Sequence, residues 1–446
     1  MRFRSTAVWI VLACMCCWIP GSLSTKLAVA DDWPQWMGPQ RDGVWREKGI
    51  VQALPANGPK IKWRVAGGGG YAGPAVADGR VYVMDYQTDG DIKPGPSRKN
   101  ELDGTERIRC LSAKDGSVIW EHAYPCHYSV SYPVGPRATP TVDGNRVYAL
   151  GTMGHLWCLN AKSGVVIWSL DIRKKLGTKT PWWGYSSHPL IDGDRLISLV
   201  GGEAGAVVAF DKNTGKVLWQ SLPTAEPGYC PLSIIQAGGV RQLMAFHPQS
   251  VNGLNPETGK VYWSQPLQTD YGMSIIAPLK WKNYLFVGGI INKAFVLDLA
   301  ADRPAAKVVW RAAKGRGIGP VNAPPFVEDG YLYGVDRFGE LRCVQMRDGK
   351  QKWSTLAAAT KGETLNSATA FLIKHDDRFF IFNEQGDLIL ARLSPKGYAE
   401  LGRANILKPS TEAFGRKVVW SYPAFAEKCM FARNDQEVVC VSLSEE

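Results

Sequence analysis

Beyond its first thirty residues, the sequence has no apolar run that approaches the roughly 20 residues needed to span a bilayer. It also lacks the GxSxG, HExxH and Walker-type phosphate-binding motifs, and no GxGxxG stands between a strand pattern and a helix pattern. The six histidines are scattered, and the cysteines after residue 30 form neither a CxxC pair nor a haem-attachment CxxCH. The common hydrolase, zinc-protease and nucleotide-binding classes are therefore excluded, and we predict no catalytic residue and no metal site.

The first thirty residues differ in character from the rest. Arg2 and Arg4 precede an apolar stretch from Ala7 to Trp18, and Ala28-Val29-Ala30 has the small-x-small pattern of a cleavage site. The pattern predicts a secretory signal peptide over residues 1–30, cleaved after Ala30, and hence a periplasmic or secreted protein. In the alternative, a lipoprotein, Cys14 would carry the lipid, but the apolar core before it would be unusually short. We expect residues 31–60 to form an N-terminal extension and residues 61–446 to form one domain.

A short pattern returns along most of the chain: an apolar run, a polar turn closed by glycine, and a run that ends in tryptophan. Its clearest copies are CLSAKDGSVIW, CLNAKSGVVIW, AFDKNTGKVLW, GLNPETGKVYW and CVQMRDGKQKW. Each copy predicts two antiparallel strands joined by a hairpin. One such unit cannot bury its own apolar face, so recurrence at roughly 45 residues predicts the blades of a propeller.

The repeats align in a register of four strands, and six of them end in tryptophan. A seventh, over residues 386–401, keeps the turn but loses the tryptophan, and an eighth, from Val418 to Leu443, stops after three strands. Ile61 to Val65 has the pattern of a fourth strand with no blade before it. Pairing these two ends would leave no exposed sheet edge. The predicted fold is all-β, an eight-bladed β-propeller of four-stranded antiparallel blades, with the ring closed by the N-terminal strand.

The recurring tryptophans could serve as stacking platforms for a ligand. Since they recur once per blade at the end of the outermost strand, we expect them to dock adjacent blades instead. These structural positions are Trp63, Trp120, Trp168, Trp219, Trp263, Trp310 and Trp353.

Almost every insertion falls in one class of connection, the one that joins second to third strands and blade to blade. In an up-and-down blade these connections share one face, and function tends to lie where a rigid scaffold presents long loops. The segments that lead into the innermost strands on this face are rich in aromatic and polar residues. They would bind a flat polar ligand or a peptide loop, or else fill the channel. The candidates are Tyr71, Arg137, Trp183, Tyr185, His188, Tyr229, Met273, Asn322 and Asn366.

The formal net charge is +11, but lysine and arginine are scattered, so we predict no nucleic-acid partner. Four cysteines share one inward-facing position of the third strand, where they are too far apart to bridge: Cys110, Cys158, Cys343 and Cys440. Cys126 and Cys230 lie in connecting segments and would pair only if their loops meet.

The A-x-D/N-x-x-T-G-x-x-x-W pattern resembles the pyrroloquinoline quinone (PQQ)-type propeller repeat, from about Lys60 to Leu443. That family includes quinoprotein dehydrogenases and BamB-type outer-membrane assembly factors. Trp33-Pro34-Gln35-Trp36-Met37-Gly38-Pro39 and Gly135-Pro136-Arg137-Ala138-Thr139-Pro140 resemble stretches of exported planctomycete-type members.

The resemblance implies one of two activities. The dehydrogenases use PQQ above a tryptophan, calcium held by carboxylates and amides, an aspartate base and commonly adjacent cysteines. Asn322 and Asn366 could supply amides, but carboxylates are missing from the channel segments, and the adjacent Cys16-Cys17 pair lies in the signal peptide. We therefore expect no cofactor and a monomeric, non-catalytic envelope scaffold that binds another envelope or secreted protein. The alternatives are a PQQ-dependent alcohol or sugar dehydrogenase with an atypical site, and a carbohydrate- or peptide-binding propeller.

Overall fold

A computed structural model describes Met1 and residues 32–93 and 95–445. Eight four-stranded antiparallel sheets stand in a ring, and in seven of them the strands follow chain order from the channel outward. The predicted eight-bladed β-propeller is confirmed. Apart from Met1, the predicted signal peptide lies outside the described residues.

Each blade is an up-and-down meander in which tight turns join short, alternately buried strands. From the innermost strand outward, blade 1 comprises Ala75–Ala77, Arg80–Gln87, Thr105–Ser112 and Val118–Pro125; blade 2 comprises Thr141–Asp143, Arg146–Leu150, His155–Asn160 and Val166–Asp171; blade 3 comprises Leu190–Asp192, Arg195–Gly202, Gly205–Asp211 and Val217–Ser221; blade 4 comprises Ser233–Ala237, Val240–His247, Ser250–Leu254 and Val261–Pro266.

The second half of the ring repeats the arrangement. In the same order, blade 5 comprises Leu279–Trp281, Tyr284–Val287, Phe295–Leu299 and Ala306–Arg311; blade 6 comprises Phe326–Glu328, Tyr331–Val335, Leu341–Gln345 and Gln351–Thr355; blade 7 comprises Ala370–His375, Arg378–Asn383, Asp387–Ser394 and Gly397–Asn405; blade 8 comprises Ala424–Ala426, Cys429–Arg433, Glu437–Ser442 and, from the other end of the chain, Ile61–Ala66.

The N-terminal strand closes the ring as predicted. Ile61–Ala66 pairs antiparallel with Glu437–Ser442, and Trp63 stands opposite Cys440. At the seam with blade 1, the buried guanidinium of Arg433 donates to the backbone carbonyls of Gly68 and Met84. The two chain ends are therefore joined by a full strand ladder and by a buried cation that caps backbone oxygens.

Five of the seven recurring tryptophans lie against a glycine in a hairpin turn of the following blade: Trp63, Trp120, Trp168, Trp219 and Trp310. A Cβ placed on Gly164 would lie 2.6 Å from the ring of Trp120, and one placed on Gly215 would lie 2.8 Å from the ring of Trp168. The indole nitrogen of Trp120 also donates to the Ala161 carbonyl at 2.9 Å. These turns hold glycine at positive φ, so the residue that the turn requires also lets the indole approach the backbone.

Short elements supplement the face with the long connections. Two helices, Ile172–Leu176 and Ala357–Thr360, and a 3₁₀ turn, Asp270–Gly272, lie in connecting segments. Two ribbons stand beside the blades, one formed by Asn100–Leu102 with Tyr128–Val130 and the other by Thr411–Ala413 with Arg416–Val418.

The N-terminal extension inserts into the channel instead of lying outside the ring. The Trp33 amide and carbonyl pair with Val76 of blade 1. The Trp45 amide donates to the Lys374 carbonyl of blade 7, and the Gly43 carbonyl accepts from the Lys374 amide. Asp32 and Lys48 contact the first-to-second-strand turns of blades 1 and 7, which lie on the short-turn face. Residues 33–45 therefore enter from the short-turn face, cross the channel and leave by the same face.

The described cysteines are buried and free. Cys126 and Cys230, whose pairing the sequence left open, do not form a disulfide, because the Cys126 sulfur faces His155 while the Cys230 sulfur lies against the Ile276 carbonyl. Within residues 32–93 and 95–445, no helix is long and apolar enough to cross a membrane.

Candidate functional site

A cavity of about 870 Å³ opens on the face that carries the long connections. Eight of the nine candidate residues line it: Tyr71, Arg137, Trp183, His188, Tyr229, Met273, Asn322 and Asn366. The ninth, Tyr185, is placed elsewhere. Its ring packs among Tyr148, Phe210 and Leu196 in the core between blades 2 and 3, so its assignment to the channel was wrong.

The floor of the cavity is made by the inserted N-terminal segment. The Trp36 indole stacks on the imidazole of His188, with ring centroids 4.9 Å apart and an interplanar angle of 10°. The Arg41 guanidinium lies over the Trp36 ring, 5.5 Å from its centroid, and donates to the Pro189 carbonyl at 3.1 Å. Trp36 also contacts Tyr422, which precedes blade 8, and Trp33, Trp36 and Met37 are all buried, so the inserted segment closes the channel at this level into a blind cavity.

His188 is held neutral at the floor. Its Nδ1 accepts the Thr139 amide at 2.8 Å, which leaves the proton on Nε2. Burial, and secondarily the charge of Arg41, holds the pKa of His188 well below its usual value of 6.5. The residue is thus both a structural histidine and a neutral donor at the base of the cavity.

Arg137 forms one wall, where its guanidinium is used mainly to shape the loop before blade 2. It donates to the carbonyls of Ser131, Tyr132 and Gly135 and reaches the Thr152 hydroxyl at 3.4 Å. It also lies 5.2 Å from the centroid of the Tyr71 ring. Arg137 therefore fixes the wall and also places a cation against the Tyr71 ring.

Several polar atoms of the cavity wall lack a hydrogen-bond partner within the described protein. They are the hydroxyls of Tyr71, Tyr132, Thr139 and Ser186 and the indole N–H of Trp183. Buried polar groups without partners are costly, and their clustering in one cavity is typical of a surface that hydrogen-bonds a ligand or water.

Large apolar side chains stand exposed at the cavity, a group called here the rim. Four of them line the cavity, and the fifth, Phe338, lies against the lining residue Arg337: Trp182, Tyr271, Ile291, Phe338 and Phe414. Tyr271 is 76% exposed. Three of the five, Tyr271, Ile291 and Phe414, have φ between 51° and 57°, a region that is unfavourable for aromatic residues and a genuine outlier for a β-branched one. Backbone strain of this kind concentrates at functional sites.

The cavity offers few groups for acid–base or metal chemistry. Among the described lining residues, Glu226 is the only carboxylate, and it is exposed at the mouth. The Asn322 side-chain oxygen accepts from the Thr369 hydroxyl, and that of Asn366 accepts from Arg337 Nε at 3.0 Å. Both amides suggested as calcium ligands are therefore already engaged by the protein.

Sequence reasoning missed three prominent contributors to the cavity, Trp36, Trp420 and Phe414. Trp36 stood in a recognised stretch, but that stretch lay outside the repeats and gave no sign of its place in the channel. Trp420 and Phe414 belong to the insertion before blade 8, where they pack with Tyr132. The length of that insertion was the available signal.

The family model described as outer membrane protein assembly factor BamB matches residues 104–288 and 247–446. The outer membrane protein assembly factor BamB of Yersinia pestis is 22% identical over 266 residues, which are 56% of this chain and 64% of that protein. The chain thus spans less than two thirds of the length of this curated relative.

Solved propellers share the fold. The crystal structure of BamB from Moraxella catarrhalis covers 80% of this chain and 99% of its own, with a TM-score of 0.52 and 13% identity. The quinohemoprotein alcohol dehydrogenase of Comamonas testosteroni covers 93% of this chain and 81% of its own, with a TM-score of 0.61 and 13% identity. At such identities the likeness concerns architecture alone.

The family match extends over more than half of the sequence, and the repeats that it matches are blades of the ring described above. The expected resemblance is thereby confirmed: the chain belongs to the PQQ-like propeller family described as outer membrane protein assembly factor BamB.

Proposed function

We propose that this protein is a non-catalytic scaffold of the cell envelope that binds a segment of another exported protein at the mouth of its blind cavity. The observation that carries the proposal is the rim, five exposed apolar side chains around one cavity. An exposed apolar group bordered by polar residues is typical of an interaction site. Aromatic side chains are also enriched at the energetic centres of protein interfaces.

The cavity chemistry suits a peptide segment. Its apolar walls, which include Met273, Ile276 and Phe371, would contact apolar side chains of the peptide. The unpaired hydroxyls would hydrogen-bond to backbone carbonyls and amides of the peptide, and the Trp183 N–H would donate to a carbonyl. The neutral His188 adds a donor without adding charge. Membership of the BamB family, whose description names outer-membrane protein assembly, favours a protein partner in the envelope over a soluble substrate.

The alternative function is that of a PQQ-dependent dehydrogenase. It is supported by the fold, and it requires a cofactor site that differs from the usual calcium-bound one. The residues present do not fit a calcium-held quinone, because the lining supplies one exposed carboxylate and two amides that already accept internal hydrogen bonds. A hard cation is held by several oxygen ligands, normally including carboxylates. We therefore propose that the protein works without PQQ, and stoichiometric binding of PQQ with calcium to the purified protein would contradict this.

Site-specific photo-crosslinking in the native cells tests the scaffold function. A photoreactive phenylalanine analogue replaces Tyr271 on the rim or, as a control, Leu218, which is 51% exposed on the outermost strand of blade 3. We expect a discrete protein adduct in the envelope fraction from position 271 and none from position 218. Equal labelling from both positions, or recovery of the protein outside the envelope, would contradict the proposal.

A further inference from the structure

Outside the cavity, three potential metal ligands converge at the seam between blades 1 and 2. Glu106 lies on the third strand of blade 1, Cys126 follows its fourth strand, and His155 begins the third strand of blade 2. One carboxylate oxygen, the Cys126 sulfur and a ring nitrogen of His155 all lie within 4.8 Å of one another. We propose that these three side chains bind one Zn²⁺ ion and so join the two blades.

The separations match what a tetrahedral ion requires. The Cys126 Sγ and His155 Nδ1 atoms are 3.8 Å apart. Ligand bonds of about 2.3 Å to sulfur and about 2.0 Å to nitrogen place two tetrahedral ligands about 3.5 Å apart. A shift of a few tenths of an ångström would therefore bring this pair to zinc-binding geometry, and thiolate, imidazole and carboxylate together are ligands typical of zinc.

The carboxylate of Glu106 is placed where a cation would be favourable. The residue is fully buried and forms no salt bridge within the described part of the chain. The hydroxyls of Tyr124 and Tyr128 and the Thr152 amide, at 3.0 Å, donate to its two oxygens. Arg137 interacts with this carboxylate electrostatically across Thr152 but does not pair with it directly, so a bound cation would offset the cost of burying the charge.

The surroundings hold the carboxylate in one orientation. A Cβ on Gly151 would lie 2.3 Å from a Glu106 oxygen, so the backbone at Gly151 packs directly against the carboxylate. The Tyr128 ring stacks on Tyr86 at 3.9 Å, and its hydroxyl contacts the Thr152 hydroxyl at 2.9 Å. Supporting hydrogen bonds of this kind orient metal ligands and raise metal affinity.

The site also connects to the binding cavity. Thr152 contacts both Tyr128 and Arg137, so a short chain of hydrogen bonds runs from Glu106 to the cavity wall. On binding, the Cys126 thiol would release its proton to solvent and ligate as thiolate, while the fourth position on zinc would be left to water. The ion would thus hold blades 1 and 2 together and, through Thr152, would also stabilise the position of Arg137 in the cavity wall. This site is not apparent from the sequence, because its ligands come from two blades and stand at irregular spacing.

Metal binding by the purified protein tests the proposal. After chelator treatment and addition of Zn²⁺, we expect one zinc ion per chain and a higher melting temperature. Substitution with Co²⁺ should produce a thiolate-to-cobalt charge-transfer band. This spectrum requires no variant, so cobalt that binds without a thiolate band, or a protein that retains no zinc, would overturn the assignment.

Variants locate the ion. Cys126→Ser and His155→Gln should each weaken zinc binding at least about tenfold. Cys158→Ser removes a buried cysteine of blade 2 and should leave zinc binding unchanged. His127→Gln removes an exposed histidine that contacts Glu101 and Asp103, and it should also leave binding unchanged. Loss of the ion in His127→Gln with retention in Cys126→Ser would place it at the surface and overturn the proposal.

Discussion

The indole of Trp36 lies parallel to the imidazole of His188, at a centroid distance of 4.9 Å, and this stack closes the bottom of the cavity. The two residues come from different parts of the chain, one from the inserted N-terminal segment and one from the approach to blade 3. This contact closes the central channel of the propeller at one end, so that the channel becomes a cavity.

Removing the Trp36 side chain from the floor of the cavity should lower the free energy of unfolding. Trp36→Ala leaves a hole next to His188 and Tyr422, and we expect the free energy of unfolding to fall by about 3–5 kcal/mol, as for other large-to-small core substitutions. Denaturant unfolding measures the change. Trp182→Ala on the exposed rim is the control and should cost under about 1 kcal/mol. Similar losses in both variants would show that Trp36 is not part of a packed floor.

The glycines of the hairpin turns should tolerate alanine unequally. Gly144 and Gly164 both have positive φ, but a Cβ on Gly144 meets open space while one on Gly164 lies 2.6 Å from the Trp120 ring. Gly144→Ala should cost about 1–2 kcal/mol for the backbone conformation alone. Gly164→Ala should cost about 1–3 kcal/mol more because the indole must move. Denaturant midpoints of the two variants give the difference, and equal values would contradict docking of Trp120 on that turn.

Stability should fall on acidification below about pH 6.5. Burial lowers the pKa values of His122, His188 and His247 from 6.5, so below that pH the unfolded chain binds protons that the folded chain does not. His188→Gln should therefore reduce the loss in melting temperature between about pH 7 and pH 5.5.

His127 provides the opposite case. Asp103 and Glu101 raise its pKa, so it contributes stability at low pH that is lost as the pH rises through that raised value. His127→Gln should steepen the acid-induced fall in melting temperature. If His188→Gln and His127→Gln change the slope in the same direction, the protonation states assigned here are wrong.

The rim should govern partner affinity without affecting stability. Tyr271→Asn and Phe414→Asn remove exposed aromatic rings, and asparagine tolerates the positive φ at both positions. Together they should weaken binding of the crosslinked partner at least about tenfold, as expected for aromatic hot spots. Titration with the purified partner measures the affinity, and Leu218→Asn is the matched control. An unchanged affinity in the double variant would move the binding surface away from the rim.

Much of the fold follows from local pattern. The hairpin at Asn160 to Gly164 is formed by hydrogen bonds within a few residues, so its sequence alone specifies it. Ile61–Ala66 could be assigned to blade 8 because every other blade had its own fourth strand. By contrast, Trp183 and Tyr185 stand two positions apart in one irregular segment, and only one of them faces the cavity. No periodicity distinguishes such neighbours.

The sequence by itself determined the eight blades, the ring closure and the face with the long connections, since period-two strands, tight turns and repetition encode each of these locally. Only the tertiary structure decided that Trp36 closes the channel and that Glu106, Cys126 and His155 meet at one seam. Trp36 lies outside the repeats, and Glu106, Cys126 and His155 stand at positions that the other repeats do not mark as ligands. Their formation depends on how neighbouring blades and the inserted segment pack within the closed ring, which no local propensity specifies.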